Sequence, residues 1–200
     1  MGRYAGPKDR LSRREGFDIF GKGAKLTRLT VTPGVHGPKG TRRGPSQYGR
    51  QLREKQKVKR FYGVNERQFK NYMKEALRSR GNTSDKLFSY LETRLDNVVT
   101  RLGFTSGRPQ ARQLVSHRHV MVNGKRVNIP SFRLKVGDTV TLSAKAVEIP
   151  SVATRLKDKD AEVPGWLKRK AAAGKVDRLP KREDITEPFT DADIVEFYSR

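Results

Sequence analysis

The chain has 200 residues, with 44 Lys and Arg against 21 Asp and Glu, a formal net charge of +23. Leu, Ile, Val and Phe total 46, or 23%, just above the ~20% below which a highly charged chain stays disordered, so a lean core is expected. There is no Cys, which excludes disulfides, thiolate metal sites and Cys nucleophiles, and no apolar run approaches the ~20 residues of a membrane span. The start, Met1-Gly2-Arg3-Tyr4, carries no apolar signal stretch, so a cytoplasmic protein is expected. The excess charge is spread out: residues 1–45 and 46–91 each carry +8, 92–150 carry +6 and 151–200 carry +1. One basic run is ordinarily a solvated face. An excess sustained over three segments calls for a polyanion, and a phosphate backbone supplies one through counterion release. No basic helix with a bulky apolar face points to a membrane instead.

Residues 1–45 hold 9 of the 18 Gly and 4 of the 10 Pro, and are read as an extended basic arm that orders on its partner. Ser46 opens a helix that ends at Gly63, with Arg50, Arg53, Lys57 and Arg60 around an apolar stripe. Asn65 with Gln68 predicts a capping box. Phe69, Tyr72, Met73, Ala76 and Leu77 follow at helical spacing, which marks a buried stripe rather than base-stacking aromatics. From Ser84 a stripe of Leu87, Phe88, Leu91, Leu95, Val98, Val99 and Leu102 predicts one helix closed by Gly103. Ser106 caps a short helix with Pro109 in its first turn. Ala111, Leu114 and Val115 turn inward there, which leaves Arg108, Arg112, Gln113, His117 and Arg118 outside. The period then becomes two. Val120 and Val122 lead into Asn123-Gly124, a type I′ hairpin signal, and Val140 and Leu142 form a further strand. Residues 151–182 are mixed, with Trp166 as a packing anchor. The last 18 residues hold six acids and an apolar set, Ile194, Val195, Phe197 and Tyr198, which suggests docking back onto the body, with an acidic face toward a basic protein neighbour.

The fold class expected is α+β. It comprises the arm (1–45), a helical domain (46–91, completed by 183–200), a domain of two helices on a small antiparallel sheet (92–150) and a mixed connecting segment (151–182).

Motifs that resemble catalytic chemistry fail on context. Gly16 to Lys22 fits seven positions of a phosphate-binding loop, but Gly23 stands where Ser or Thr must hold magnesium, and no buried strand precedes it. Arg94-Leu95-Asp96 resembles the triplet of RNA pseudouridine synthases, yet lies within a helical stripe, where Asp96 pairs more naturally with Arg94 or Arg101. His36, His117 and His119 make a poor zinc set. The sequence presents no catalytic centre and no cofactor motif.

Three runs carry a specific resemblance: Arg94 to Phe104, Ser106 to Val115, and Val120 to Lys125. Together they resemble the α-L RNA-binding domain. The rest of the chain is similar to the bacterial family of small-subunit ribosomal protein four, through Met1-Gly-Arg-Tyr, Arg13-Arg-Glu-Gly16, Pro33-Gly-Val-His-Gly37, Leu52 to Lys57, Tyr62 to Phe69 and Val195 to Arg200. The resemblance implies a primary binder of small-subunit ribosomal RNA that grips a helical junction, nucleates assembly of the body and affects decoding accuracy. The fifth small-subunit protein is implied as a neighbour, messenger RNA as a further partner, and neither membrane nor homo-oligomer.

For the α-L domain it implies RNA contacts from Ser106, Arg108, Gln110, Arg112 and Gln113, and from Asn123 and Lys125 beside them. Arg94, His117 and Arg118 join this set. Arg3, Arg13, Arg14, Arg42 and Arg43 of the arm, with Arg50, Arg53, Lys57 and Arg60, are expected to clamp adjacent RNA. Many relatives hold zinc near the N-terminus through four Cys. Here Asp9 and Ser12 take the first pair's places and the second pair is missing, so the arm is expected to order through RNA and through Phe17, Ile19 and Phe20.

Overall fold

The computed structural model describes residues 4, 6–37, 44–158 and 162–199. The architecture is α+β. The chain divides into two compact units, Met1–Ser84 with Glu187–Arg200, and Asp85–Thr186.

In the first unit the N-terminal segment is not wholly extended. It carries α1 (Lys8–Glu15), closed by Gly16 in the left-handed region at φ 62°, where only glycine is unstrained. Ile19 is buried, and Phe17 meets Phe61 and Phe189 at ring separations of 6.2 Å. Glu15 anchors α1 to α2 (Gln47–Phe61), accepting from Arg53 at 3.2 Å and from Arg60, with none of its own side chain exposed. Burial pushes the Glu15 carboxyl above its ordinary range, opposed by Arg53, Arg60, Lys57 and Arg14.

The Ser46 hydroxyl caps α2 by accepting from the Gly49 N–H. At α3 (Glu66–Arg78) the expected capping box is absent: Asn65 stands at the N-cap with extended backbone, but its side chain makes no cap hydrogen bond. Phe69, Met73 and Ala76 of α3 are fully buried, but Leu77, read as part of the same stripe, is 44% exposed and Tyr72 only half-buried. The C-terminal helix, α9 (Asp191–Ser199), packs on α2. Ile194 is buried, Phe197 lies against Tyr48 and Tyr198 against Phe69. Lys55 of α2, almost fully buried, donates to Glu66 at 2.7 Å and sits 4.5 Å from the Phe197 ring centroid. Burial opposes the ionised form of Glu66. Hydrogen bonds from Lys55, Lys59 and Tyr198 outweigh it and bring the carboxyl down to about 2.

The second unit opens with the stripe read as one helix. The structure breaks it into α4 (Thr83–Glu92) and α5 (Leu95–Arg101). Arg94 is extended and bridges Arg133 across the chain. The Leu95 N–H donates to Phe132 O at 2.8 Å and the Leu134 N–H to Thr93 O at 2.9 Å. Those bonds replace the helical ones lost, and buried backbone groups are indifferent to which carbonyl satisfies them.

After α6 (Arg108–Ser116) come β1 (Val120–Val122), β2 (Lys125–Arg126) and β3 (Thr139–Leu142). The β1–β2 turn has Asn123 at φ 49° and Gly124 at φ 78°, as a type I′ turn requires. The segment read as mixed contains α8 (Pro150–Lys157) after the short α7 (Ala144–Val147), then a hairpin of β4 (Leu167–Lys170) and β5 (Ala173–Val176). The result is one antiparallel sheet in the order β2-β1-β3-β5-β4. Its inner face and the helices enclose a core that includes Leu95, Val99, Leu114, Val140 and the buried Trp166. Gly174 lets β5 approach α5: a Cβ there would lie 2.4 Å from Leu102 Cδ1.

Candidate nucleic-acid interface

The interface is built on α6. Gly107, not Ser106, is its N-cap, and Pro109 lies in its first turn, where the missing N–H costs nothing. The Ser106 N–H and hydroxyl instead donate to Gln110 Oε1 at 3.1 and 3.0 Å, while Gln110 Nε2 donates to Ser151 Oγ at 2.7 Å. Ala111, Leu114 and Val115 are buried, which turns Arg112, Gln113 and Ser116 the other way. Gln113, His117 and Arg118 are exposed.

The helix ends in a Schellman motif: the Arg118 N–H donates to Val115 O and the His119 N–H to Leu114 O. Arg118 therefore stands at φ 62°, a position glycine usually fills. Holding a non-glycine residue there costs roughly 1 kcal/mol, and such strain concentrates at functional sites.

Arg108 is positioned from below by a buried polar chain. Arg101 grips Glu92 through two hydrogen bonds, Glu92 accepts from Asn97 Nδ2, and Asn97 Oδ1 accepts from Arg108 Nε at 2.8 Å. Glu92 and Asn97 are the positioning residues that sequence reasoning missed, and Glu92, a carboxylate inside an apolar stripe, was the available signal. At the hairpin, Lys125 is exposed. Asn123 is exposed; its Nδ2 donates to Asp138 Oδ1 and its Oδ1 accepts from the Thr139 N–H, which ties the turn to β3.

Several residues expected to contact RNA make ion pairs or hydrogen bonds within the protein. Arg94 is fully buried and grips Asp96 at 3.0 and 2.6 Å, so it has no surface to offer RNA. The same pairing removes Asp96 from any role as a nucleophile. Arg53 and Arg60 hold Glu15, and Lys57 pairs with Glu54 at 2.5 Å. Arg13 clasps the chain that follows α1, donating to Val31 O at 2.9 Å and Thr32 O at 3.3 Å. Arg14 and Arg50 are exposed. Arg3, Arg42 and Arg43 lie outside the described residues.

Zinc does not fit the N-terminal segment. The buried Ser12 hydroxyl accepts from the Ile19 N–H, and Asp9 pairs with Lys22, so both residues in the places of the first Cys pair are used in polar contacts. Among the described residues no His, Asp and Glu group has a metal-binding arrangement, and no helix is long and apolar enough to cross a membrane.

The sequence matches the Ribosomal protein S4/S9 N-terminal domain over residues 3–92 and the S4 domain over residues 93–140. A small ribosomal subunit protein uS4 of Dictyoglomus turgidum is 50% identical over 209 residues, covering both chains completely. Those of a Thermoanaerobacter species and of Shewanella loihica are 47% and 46% identical, again over both full lengths. The chain belongs to the uS4 family. As a uS4 protein it is a ribosomal protein of the small subunit, not an enzyme. The S4 domain match covers α5, α6, β1 and β2, the elements that carry the outward face of α6 and the Lys125 hairpin.

Proposed function

We propose that this uS4-family chain is a primary ribosomal-RNA-binding protein of the small subunit, acts in the cytoplasm within the ribosome, and needs no cofactor. Its binding nucleates assembly of the subunit body and contributes to translational accuracy. The observation that carries this reading is the solvent-facing side of α6 and its strained C-terminal turn, where Arg108, Arg112, Arg118 and Lys125 sit on a rigid, internally hydrogen-bonded support. Structured RNA hides its base edges, so a protein reads phosphates, 2′-hydroxyls and junction shape. The planar fork of Arg suits two phosphate oxygens at once, and Gln113, Ser106 and Gln110 add neutral hydrogen-bonding groups at the rim. Arg14 and Arg50, exposed on the first unit, are further phosphate contacts in this reading, and Arg3, Arg42 and Arg43 are assigned to RNA from the sequence alone. The acids of α9 favour a basic neighbour, for which the fifth small-subunit protein is the family's candidate, and messenger RNA is a further partner.

Filter binding of the full chain to a small-subunit ribosomal RNA fragment tests the reading. Arg112→Ala is expected to weaken binding and to reduce the slope of log K against log salt by about one. An unchanged slope removes Arg112 from the patch. Sedimentation of a cell extract separates this role from that of a free-standing RNA-binding repressor, because a ribosomal component travels with the small subunit.

A further inference from the structure

We propose that the outer face of the five-stranded sheet is a second phosphate-binding surface, which takes the backbone of duplex RNA independently of α6. Strand register determines which residues share that face. Met121 pairs with Arg126 and Thr141, Thr141 with Ala173, and Ala173 with Lys170. Thr139 pairs with Lys175, and Lys175 with Lys168. Cross-strand partners point to the same side, so these residues form two rows across the sheet. Their alternates, Val120, Val122, Val140, Leu142, Val176 and Leu167, are all buried in the core, which places the two rows on the opposite, open side.

The open side is basic. Arg126, Lys168, Lys170 and Lys175 are exposed. Lys168 is paired with Asp177 at 2.9 Å, but the two side chains are 69% and 43% exposed, and a pair that open to water holds weakly. Lysines along an edge strand commonly serve only to block strand pairing. That explanation covers Lys168 and Lys170 on β4. It does not cover Lys175 on the interior strand β5.

The chemistry between the cations selects the ligand. Two Thr hydroxyls, a Met and an Ala occupy the middle, and neither row contains an aromatic ring. A single strand is normally held by stacking its bases on aromatics, which this face lacks. Cations and hydroxyls suffice for the phosphates and 2′-hydroxyls of a duplex. Five strands at ~4.8 Å spacing set the two cationic edges about 19 Å apart. Lys168, Lys170 and Lys175 lie outside both matched family segments. The surface does not depend on the role given to α6, because the sheet and the core lie between them.

The test uses the full chain and an RNA duplex of about 16 base pairs, with the same single strand as a second probe. Duplex affinity is measured as a function of salt for wild type, K168Q/K170Q/K175Q, K168R/K170R/K175R and R112A. The glutamine triple variant is expected to bind the duplex about tenfold more weakly at about 100 mM salt, with a slope lower by about two. The arginine variant keeps wild-type values. Trp166 fluorescence verifies that the unit remains folded in each variant. Unchanged duplex affinity and slope in the glutamine variant overturn the proposal, as does an equal loss on the single strand. A silent R112A variant would count against the α6 reading alone.

Discussion

Asp96→Ala is the substitution most telling for the second unit. Arg94 has no exposed side-chain surface and Asp96 only 4%, and the two meet through paired hydrogen bonds at 3.0 and 2.6 Å. An exposed ion pair of this geometry contributes roughly 0.2–1 kcal/mol. Removing one partner of a buried pair costs about 3–5 kcal/mol, because the remaining charge stays desolvated without its counter-ion. With a urea m-value near 2 kcal/mol/M, a loss of about 4 kcal/mol lowers the midpoint by about 2 M. The protein has a single Trp, and Trp166 is buried in the same core, so its fluorescence reports this unit selectively. The double variant Arg94→Met with Asp96→Leu removes both charges and should lose less than Asp96→Ala alone, since replacing a whole buried pair by apolar groups is near neutral. A midpoint shift under about 0.5 M for Asp96→Ala would refute the reasoning and return the pair to the energetics of an exposed one.

Three further outcomes follow from the structure. Gly174→Ala drives a Cβ to 2.4 and 2.5 Å from the two methyls of the fully buried Leu102, and overpacking of this kind costs about 1–3 kcal/mol by the same fluorescence assay. Arg118→Gly relieves roughly 1 kcal/mol of left-handed strain and offsets part of it with chain entropy. Its melting temperature should hold or rise while affinity for ribosomal RNA falls, and a parallel fall in both would show that Arg118 is only a structural residue. For Glu66 the folded carboxyl titrates at about 2 against an ordinary 4.5. A depressed pKa means the ionised form is favoured by folding, so its stabilisation is full above about 4.5 and is lost as pH falls toward 2. Urea midpoints of wild type and Glu66→Gln should therefore differ at neutral pH and converge across that interval.

The core face of α4 and α5 was legible from periodicity alone. Leu87, Phe88, Leu91, Leu95, Val98, Val99 and Leu102 are all buried as their spacing requires, and Asn123-Gly124 forms the turn its chemistry demands. What periodicity could not reveal is that the helix carrying those seven breaks at Thr93-Arg94. The stripe is continuous across the break, and the hydrogen bonds that compensate it come from residues nearly 40 positions away. The β4–β5 hairpin was missed for a related reason. Its turn, Ala171-Ala172, carries no Gly or Asn, and Ala171 adopts φ 49° without either. The strand β4 reads as Leu-Lys-Arg-Lys, a basic run in which a single apolar residue marks the inward face.

Charge behaved the same way. Composition alone points to a polyanionic partner and excludes Cys chemistry, because a formal +23 and the absence of a thiol need no coordinates. Which cations are available to a partner is decided only in three dimensions. Arg94 and Arg60 are indistinguishable in sequence from Arg118, yet Arg94 is buried against Asp96 and Arg60 is held by the buried Glu15, while Arg118 is exposed. A carboxylate and a guanidinium distant in sequence attract strongly only once folding excludes water between them, and the linear chain carries no record of that exclusion.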